Sequence, residues 1–181
     1  MRLQTSLPCP AAARRFALIA LALLAIATAP TLAAAQGPSR PDGPGPSTMA
    51  KRHIYSETAD PKADIAAALV EARRDRKRVI VDFGGDWCGD CQVLDIYFHQ
   101  APNDELLAKH FVLVHVWVGH IDTNLDVMKK YGVSSQKGGV PGLAVLASDG
   151  SVVFAQQSGE FDRMRHMEAS SVTEFLNKWK S

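Results

Sequence analysis

The sequence has little that would point to a metal site, a nucleic acid or a repeat architecture. Only three of its 181 residues are cysteines, and no second C-x-x-C pair or H-x-x-x-H pair offers the further ligands of a structural zinc site. The formal net charge is +1, so neither a basic surface for nucleic acid nor an acidic tail is indicated. With no internal repeat, and with 46% hydrophobic and 22% charged residues, the chain has the composition of one globular domain.

Acidic residues are absent from residues 1–35, where three arginines precede an apolar run from Phe16 to Pro30. Ala33 and Ala35 stand at the two small-residue positions that a signal peptidase reads. A basic start, an apolar stretch and an A-x-A site predict a secretory signal peptide over residues 1–35. The alternative is a retained N-terminal anchor, because the apolar segment is about long enough to span a bilayer.

Cleavage after Ala35 would remove Cys9 and three of the 20 basic residues but none of the 19 acidic ones, so the mature charge would be −2. The mature chain would be exported, periplasmic or secreted, where disulfides can form. It would have no attachment to the membrane once the signal is removed. Residues 36–52 are rich in proline and glycine and predict a flexible linker, which leaves residues 53–181 as the folded domain.

Patterns along residues 53–181 predict an α/β fold, with a central mixed sheet and helices on both faces. The continuous β-favouring run Phe111–Val118 predicts a central strand buried on both sides. Asp149-Gly150 predicts a hairpin between the last two strands. The other expected elements are a helix capped by Asp60, a strand at Val79–Phe83, helices starting at Cys88 and at an Asn103 cap, a short helix ending at Gly132, a terminal helix from Met164 to Trp179 and one further strand at His53–Ser56.

The cysteine pair follows a Gly-Gly turn and opens a predicted helix. A thiol at a helix start faces the positive end of the helix dipole and free backbone N–H groups, and both stabilise a thiolate. Cys91 lies one turn further on, close enough to bond to Cys88. This arrangement suits thiol–disulfide exchange, in which the outer thiolate attacks a substrate disulfide and the inner thiol resolves the mixed disulfide.

Two other interpretations of the pair remain open from the residues alone. One is a structural disulfide, although so short a loop constrains the unfolded chain little. The other is a metal-handling protein that holds copper(I) between the two sulfurs, since C-x-x-C supplies two soft ligands. No other metal or organic cofactor is indicated.

Two aspartates add to the prediction. Asp82 lies in the middle of an apolar strand, and burial disfavours the charged form of a carboxyl group. We therefore expect it to accept the Cys91 proton, unless its side chain points into solvent. Asp90 lies between the cysteines, where a negative charge would oppose a thiolate at Cys88. This predicts a reductase or isomerase rather than a strong oxidant.

The segment "VDFGGDWCGDC" resembles the active-site segment of the thioredoxin-like family, and "GGVPG" resembles the family's cis-proline loop. The resemblance implies a thioredoxin fold. It also implies roles for particular residues: Cys88 as nucleophile, Cys91 as resolving thiol, Asp82 as buried acid–base group, Pro141 as a contact to the substrate backbone, and Trp87, Val140 and Gly142 as further substrate contacts.

The implied partners are protein or small-molecule disulfides and an external electron donor. Among the departures from the family pattern, Asp90 replaces the usual proline between the cysteines, Gly142 replaces the usual threonine after the proline, and the loop before that proline is longer than a simple thioredoxin needs.

Overall fold

The computed structural model describes residues 51–134 and 139–181. The predicted signal peptide and all but the end of the predicted linker lie outside these residues. The described elements are α1 (Pro61–Asp75), β1 (Arg78–Gly84), α2 (Gly89–Phe98), α3 (Asn103–His110), β2 (Phe111–Trp117), α4 (Leu125–Lys130), β3 (Gly142–Leu146), β4 (Val152–Ala155), a 3-10 turn (Met164–His166) and α5 (Ala169–Trp179).

The four strands form one mixed sheet in the order β2-β1-β3-β4. β1 pairs in parallel with β2 and antiparallel with β3, and β3 and β4 form the predicted antiparallel hairpin. Asp60 caps α1 as expected, because its carboxylate accepts hydrogen bonds from the N–H groups of Lys62 and Ala63.

A hydrophobic core lies on each face of the sheet. Side chains of α1 and α4 pack on one face against Val79, Val81 and Phe83 of β1. Side chains of α2, α3 and α5 pack on the other face, around Ile80 of β1 and the inner positions of β3. Successive side chains of β1 point to opposite faces because a strand has a two-residue period. The mixed sheet with helices on both faces confirms the predicted fold class.

Four predicted details are wrong. The terminal helix starts at Ala169 rather than at Met164, which lies in a separate 3-10 turn. β2 is an edge strand whose residues are only partly buried at several positions. The strands with a neighbouring strand on each side are β1 and β3. Residues 53–56 form no strand. Asn103 is the first residue of α3 rather than its cap; its buried side chain donates to the carbonyl of Tyr97 and accepts from Thr173, which ties α2 to α5.

Within the described residues, no helix combines the length and the apolar composition that crossing a membrane requires.

Candidate active site

The cysteine pair stands where β1 turns into α2. Cys88 is the N-cap residue of α2, and the N–H of Cys91 donates to its sulfur over 3.1 Å. The two residues form a disulfide. Cys91 is fully buried, whereas Cys88 keeps 6% of its surface exposed. The outer sulfur therefore has both the helix terminus and an N–H donor to stabilise a negative charge.

The loop before β3 faces the outer sulfur. Its Val140–Pro141 peptide bond is cis, and the carbonyl oxygen of Val140 lies 3.5 Å from Cys88 Sγ. Gln156, which is buried, donates to the Pro141 carbonyl over 3.0 Å and accepts from the Leu143 N–H over 3.3 Å. The structure thus places Val140 next to Cys88, and Pro141 and Gly142 follow it into β3.

Trp87 is the exposed aromatic residue beside the pair, with 40% of its surface accessible. Its indole N–H donates to the carbonyl of Gly119 over 2.6 Å. Its ring stacks on His120, with centroids 5.2 Å apart. These contacts hold a flat apolar surface next to the outer cysteine.

Asp82 is completely buried, so the alternative of a solvent-facing side chain is wrong. Its Oδ2 accepts a hydrogen bond from the hydroxyl of Tyr55 at 2.7 Å and lies 2.9 Å from Nδ1 of His115. Its Oδ1 makes no hydrogen bond within the described part of the chain. An unpaired buried carboxylate oxygen is costly, and here it leaves one oxygen free to take up a proton.

Tyr55 and Cys91 meet at Gly84. A Cβ placed on Gly84 would lie 2.5 Å from the Tyr55 hydroxyl oxygen and 2.9 Å from Cys91 Sγ. The missing side chain at this glycine therefore makes room for both groups beside the strand that carries Asp82. Burial, followed by the charge of Asp82 and its hydrogen bond, raises the pKa of Tyr55 well above its ordinary value, so the phenol stays protonated and acts as a donor.

His115 links this buried group to the surface. Its side chain is 21% exposed. Its Nε2 lies 3.9 Å from Oδ1 of Asp95, a buried carboxylate on α2 that also pairs with Arg52 over 2.6 Å and with His99 over 3.1 Å. The imidazole therefore lies between two buried carboxylates, one on each ring nitrogen.

Asp90 does not act as the unpaired charge that the sequence suggests. Its buried carboxylate accepts a hydrogen bond from the backbone N–H of Arg165 at 2.9 Å and pairs with the guanidinium at 3.1 Å. The Arg165 side chain also lies against Gly89, where a Cβ would be 3.3 Å from its Cδ. The charge inside the C-x-x-C motif is thus compensated by a cation, and the expected opposition to a Cys88 thiolate is weakened.

Sequence reasoning did not identify Tyr55, Asp95, Gln156 or Arg165 as parts of the site, and it gave His115 no role beyond its place in the strand predicted at Phe111–Val118. One signal for His115 is present in the sequence. Asp82 and His115 are the fifth residues of β1 and β2, and each interrupts an apolar run. Because neighbouring parallel strands that start in register pair position by position, two such polar residues fall opposite each other.

Across residues 51–134 and 139–181, no three histidine, cysteine or acidic side chains come together as a metal site would require. A copper(I) site of the kind considered from the sequence would therefore depend on Cys88 and Cys91 themselves.

The comparisons with known proteins match the part of the chain that contains this site. A family model described as thioredoxin-like matches residues 60–148. A disulphide isomerase from Xylella fastidiosa Temecula1 is similar in structure, with a TM-score of 0.67 and 34% sequence identity, covering 71% of this chain and 98% of that chain.

Two curated relatives are similar over shorter stretches. Thioredoxin-T of Drosophila melanogaster is 35% identical over 75 residues, which is 41% of this chain and 43% of that protein. A thioredoxin of Streptomyces clavuligerus is 34% identical over 62 residues, which is 34% of this chain and 52% of that protein. The chain thus spans about half the length of the curated relatives it matches.

Proposed function

Because this chain belongs to the thioredoxin-like family and has its fold, we propose that it is an exported thiol–disulfide oxidoreductase that works as a disulfide reductase or isomerase. The observation that carries the proposal is the Cys88–Cys91 disulfide at the start of α2, next to the Val140–Pro141 loop. The Xylella fastidiosa relative is described as a disulphide isomerase, which supports this class of chemistry.

The reaction begins with the reduced pair. The Cys88 thiolate attacks one sulfur of a substrate disulfide, a bond forms between Cys88 and that sulfur, and the other substrate sulfur leaves as a thiolate. The helix terminus and the Cys91 N–H, 3.1 Å from the sulfur, stabilise the attacking thiolate. We propose that Trp87, which is exposed beside Cys88, and the loop residues Val140, Pro141 and Gly142 contact the substrate chain around the reacting sulfur.

Resolution is the second step. The Cys91 thiol attacks Cys88 in the mixed disulfide, the Cys88–Cys91 bond forms, and the substrate sulfur leaves as a thiolate. Cys91 must lose its proton to attack, and the buried carboxylate of Asp82 is the proposed acceptor. The substrate gains two electrons and the protein loses two, so an external dithiol or similar electron donor must reduce the pair again. An isomerase cycle instead ends with attack by a substrate thiol on the mixed disulfide, which returns reduced Cys88.

Insulin-disulfide reduction tests the proposal. We expect the wild-type protein to reduce insulin in the presence of dithiothreitol and Cys88→Ser to be inactive. Cys91→Ser should form mixed disulfides that persist on a non-reducing gel. Because both variants carry the same Cys-to-Ser change, this difference distinguishes the attacking cysteine from the resolving one. A protein that binds copper(I) through both sulfurs but reduces no insulin would contradict the proposal and favour the metal-handling alternative.

Export is part of the proposal, with residues 1–35 as a cleaved signal peptide. The intact mass of protein from the exported fraction should correspond to a chain that starts at Gln36. Ala35→Leu should leave the precursor unprocessed, because signal peptidase requires a small residue there. A wild-type exported protein that retains residues 1–35 would instead be a membrane-anchored form.

A further inference from the structure

We propose that His115 carries the proton between Asp82 and solvent when Cys91 resolves a mixed disulfide. This inference rests on the proposed function and extends it. A completely buried acceptor that takes a proton in each cycle must release it before the next, and it needs a partner that reaches water.

The geometry at the buried carboxyl favours His115 as that partner. Two groups contact Asp82 Oδ2, the Tyr55 hydroxyl at 2.7 Å and His115 Nδ1 at 2.9 Å. Tyr55 is completely buried and its pKa is raised well above the ordinary value, by burial first and by the charge of Asp82 second. The phenol therefore remains a fixed donor, whereas the imidazole has a second nitrogen and a partly exposed ring through which a proton can leave.

The groups near Nε2, on the far side of the imidazole ring, lie toward solvent. Nε2 lies 3.9 Å from Asp95 Oδ1, too far for a direct hydrogen bond but close enough for strong attraction to an imidazolium. Asp95 pairs in turn with the half-exposed side chains of Arg52 and His99. His115 also lines an open groove of about 420 Å³ between β2 and α1, where Ser56, Asp64 and Glu71 supply polar groups.

The surrounding charges favour the imidazolium form of the His115 ring. Burial lowers the pKa of His115, but the hydrogen bond and charge of Asp82, with the charges of Asp95 and Asp86, outweigh it and raise the pKa above its ordinary value of 6.5. Tyr55 packs edge-on against the ring, with centroids 5.3 Å apart, and adds no charge because it stays protonated.

The transfer balances as a proton movement without redox change. Asp82 takes the Cys91 proton on Oδ1, and its carboxyl group then turns about the Cβ–Cγ bond so that the new O–H faces Nδ1 of a neutral His115. The O–H bond breaks as an N–H bond forms at Nδ1. The resulting imidazolium releases its Nε2 proton to water on the Asp95 side. Re-reduction of the pair by the electron donor runs the same transfers in reverse.

Reaction of the reduced protein with 5,5′-dithiobis(2-nitrobenzoate) separates the two chemical steps. The first thionitrobenzoate is released when Cys88 attacks, at a rate that depends on reagent concentration, and the second when Cys91 resolves, at a rate that does not. His115→Asn keeps a donor toward Asp82 but cannot carry a proton. We expect it to leave the first phase unchanged and to slow the second at least about tenfold at neutral pH.

The pH profile and chemical rescue distinguish proton transfer from a merely structural role. The wild-type second phase should quicken as pH rises through the pKa of His115, because only the neutral ring accepts a proton, and this inflection should be absent in His115→Asn. Added imidazole should restore the second phase of His115→Ala in proportion to its concentration. His110→Asn is the matched control; His110 lies before the start of β2, with a weak contact to Ser181, and this variant should behave as wild type.

Each result decides the question. A wild-type protein that releases only one thionitrobenzoate would overturn the proposed function itself. A normal wild type with an unchanged second phase in His115→Asn would overturn the proton path alone. A slowed second phase that keeps the wild-type pH inflection, and that imidazole does not restore in His115→Ala, would show that His115 acts only through packing.

Discussion

Adding one methyl group at Gly84 should disturb both the stability and the chemistry of this protein. A Cβ there would lie 2.5 Å from the Tyr55 hydroxyl oxygen, 2.6 Å from Cζ of the same ring and 2.9 Å from Cys91 Sγ. Comfortable contacts for a carbon atom begin at about 3.5 Å, so the tyrosine would have to retreat by about 1 Å. Tyr55 and Cys91 are completely buried in the core on this face of the sheet, so a shift of either side chain must displace its neighbours.

The size of the effect follows from two contributions. Overpacking a core by one methyl group costs about 1–3 kcal/mol. A retreat of about 1 Å also breaks the 2.7 Å hydrogen bond from Tyr55 to Asp82, and hydrogen bonds to charged groups contribute about 1.5–3 kcal/mol. We therefore expect Gly84→Ala to lower the free energy of unfolding by about 2.5–6 kcal/mol, a large share of the stability of an ordinary domain.

Urea unfolding of the oxidised protein measures this loss. Gly89→Ala is the matched control, because the nearest contact of its Cβ is the flexible, half-exposed side chain of Arg165 at 3.3 Å, and it should cost under about 1 kcal/mol. Tyr55→Leu removes both crowded ring atoms, so Gly84→Ala should cost clearly less in that background. An equal cost in both backgrounds, or a loss below about 1 kcal/mol in the wild type, would refute the crowding argument.

Three further predictions concern the charges around the cysteines. Asp82→Asn should leave the first attack intact but accumulate mixed disulfide at neutral pH, seen by trapping, and wild-type turnover would contradict this. Above the pKa of His115, where no imidazolium offsets the charge, the variant should also unfold at higher urea concentration, because a buried carboxylate with one unpaired oxygen is gone. Because the pKa of folded His115 is raised, its protonation stabilises the fold fully below pH 6.5 and the gain is lost as pH rises through the folded value. The difference in unfolding free energy between wild type and His115→Asn should therefore shrink with rising pH, and a constant difference would count against it. Arg165→Gln should leave the Asp90 charge uncompensated and shift the pH dependence of Cys88 alkylation upward, and Asp90→Asn in the same chain should reverse the shift; alkylation that ignores both changes would exclude the coupling.

Local patterns in the sequence predicted most of the fold. Asp60 at the start of α1, the apolar strand β1 and the hairpin at Asp149-Gly150 were predicted because caps, strand periodicity and turn residues act over only a few positions. The position of Cys88 at a helix start, with Cys91 one turn on, was equally readable. The chemistry expected of the pair followed from these two facts and from the likeness of its segment to a known family.

Only the tertiary structure determined which residues surround the buried groups. Tyr55 and His115 meet Asp82 across 27 and 33 residues of chain, and Arg165 meets Asp90 across 75. No periodicity links such pairs, because they depend on strand order and on how the segment before α1 returns to the sheet. The edge position of β2 has the same origin. A run of β-favouring residues predicts that a strand forms, but only the packing of the whole sheet determines which strands lie inside it. Because β2 is at the edge, the His115 ring lies within reach of water.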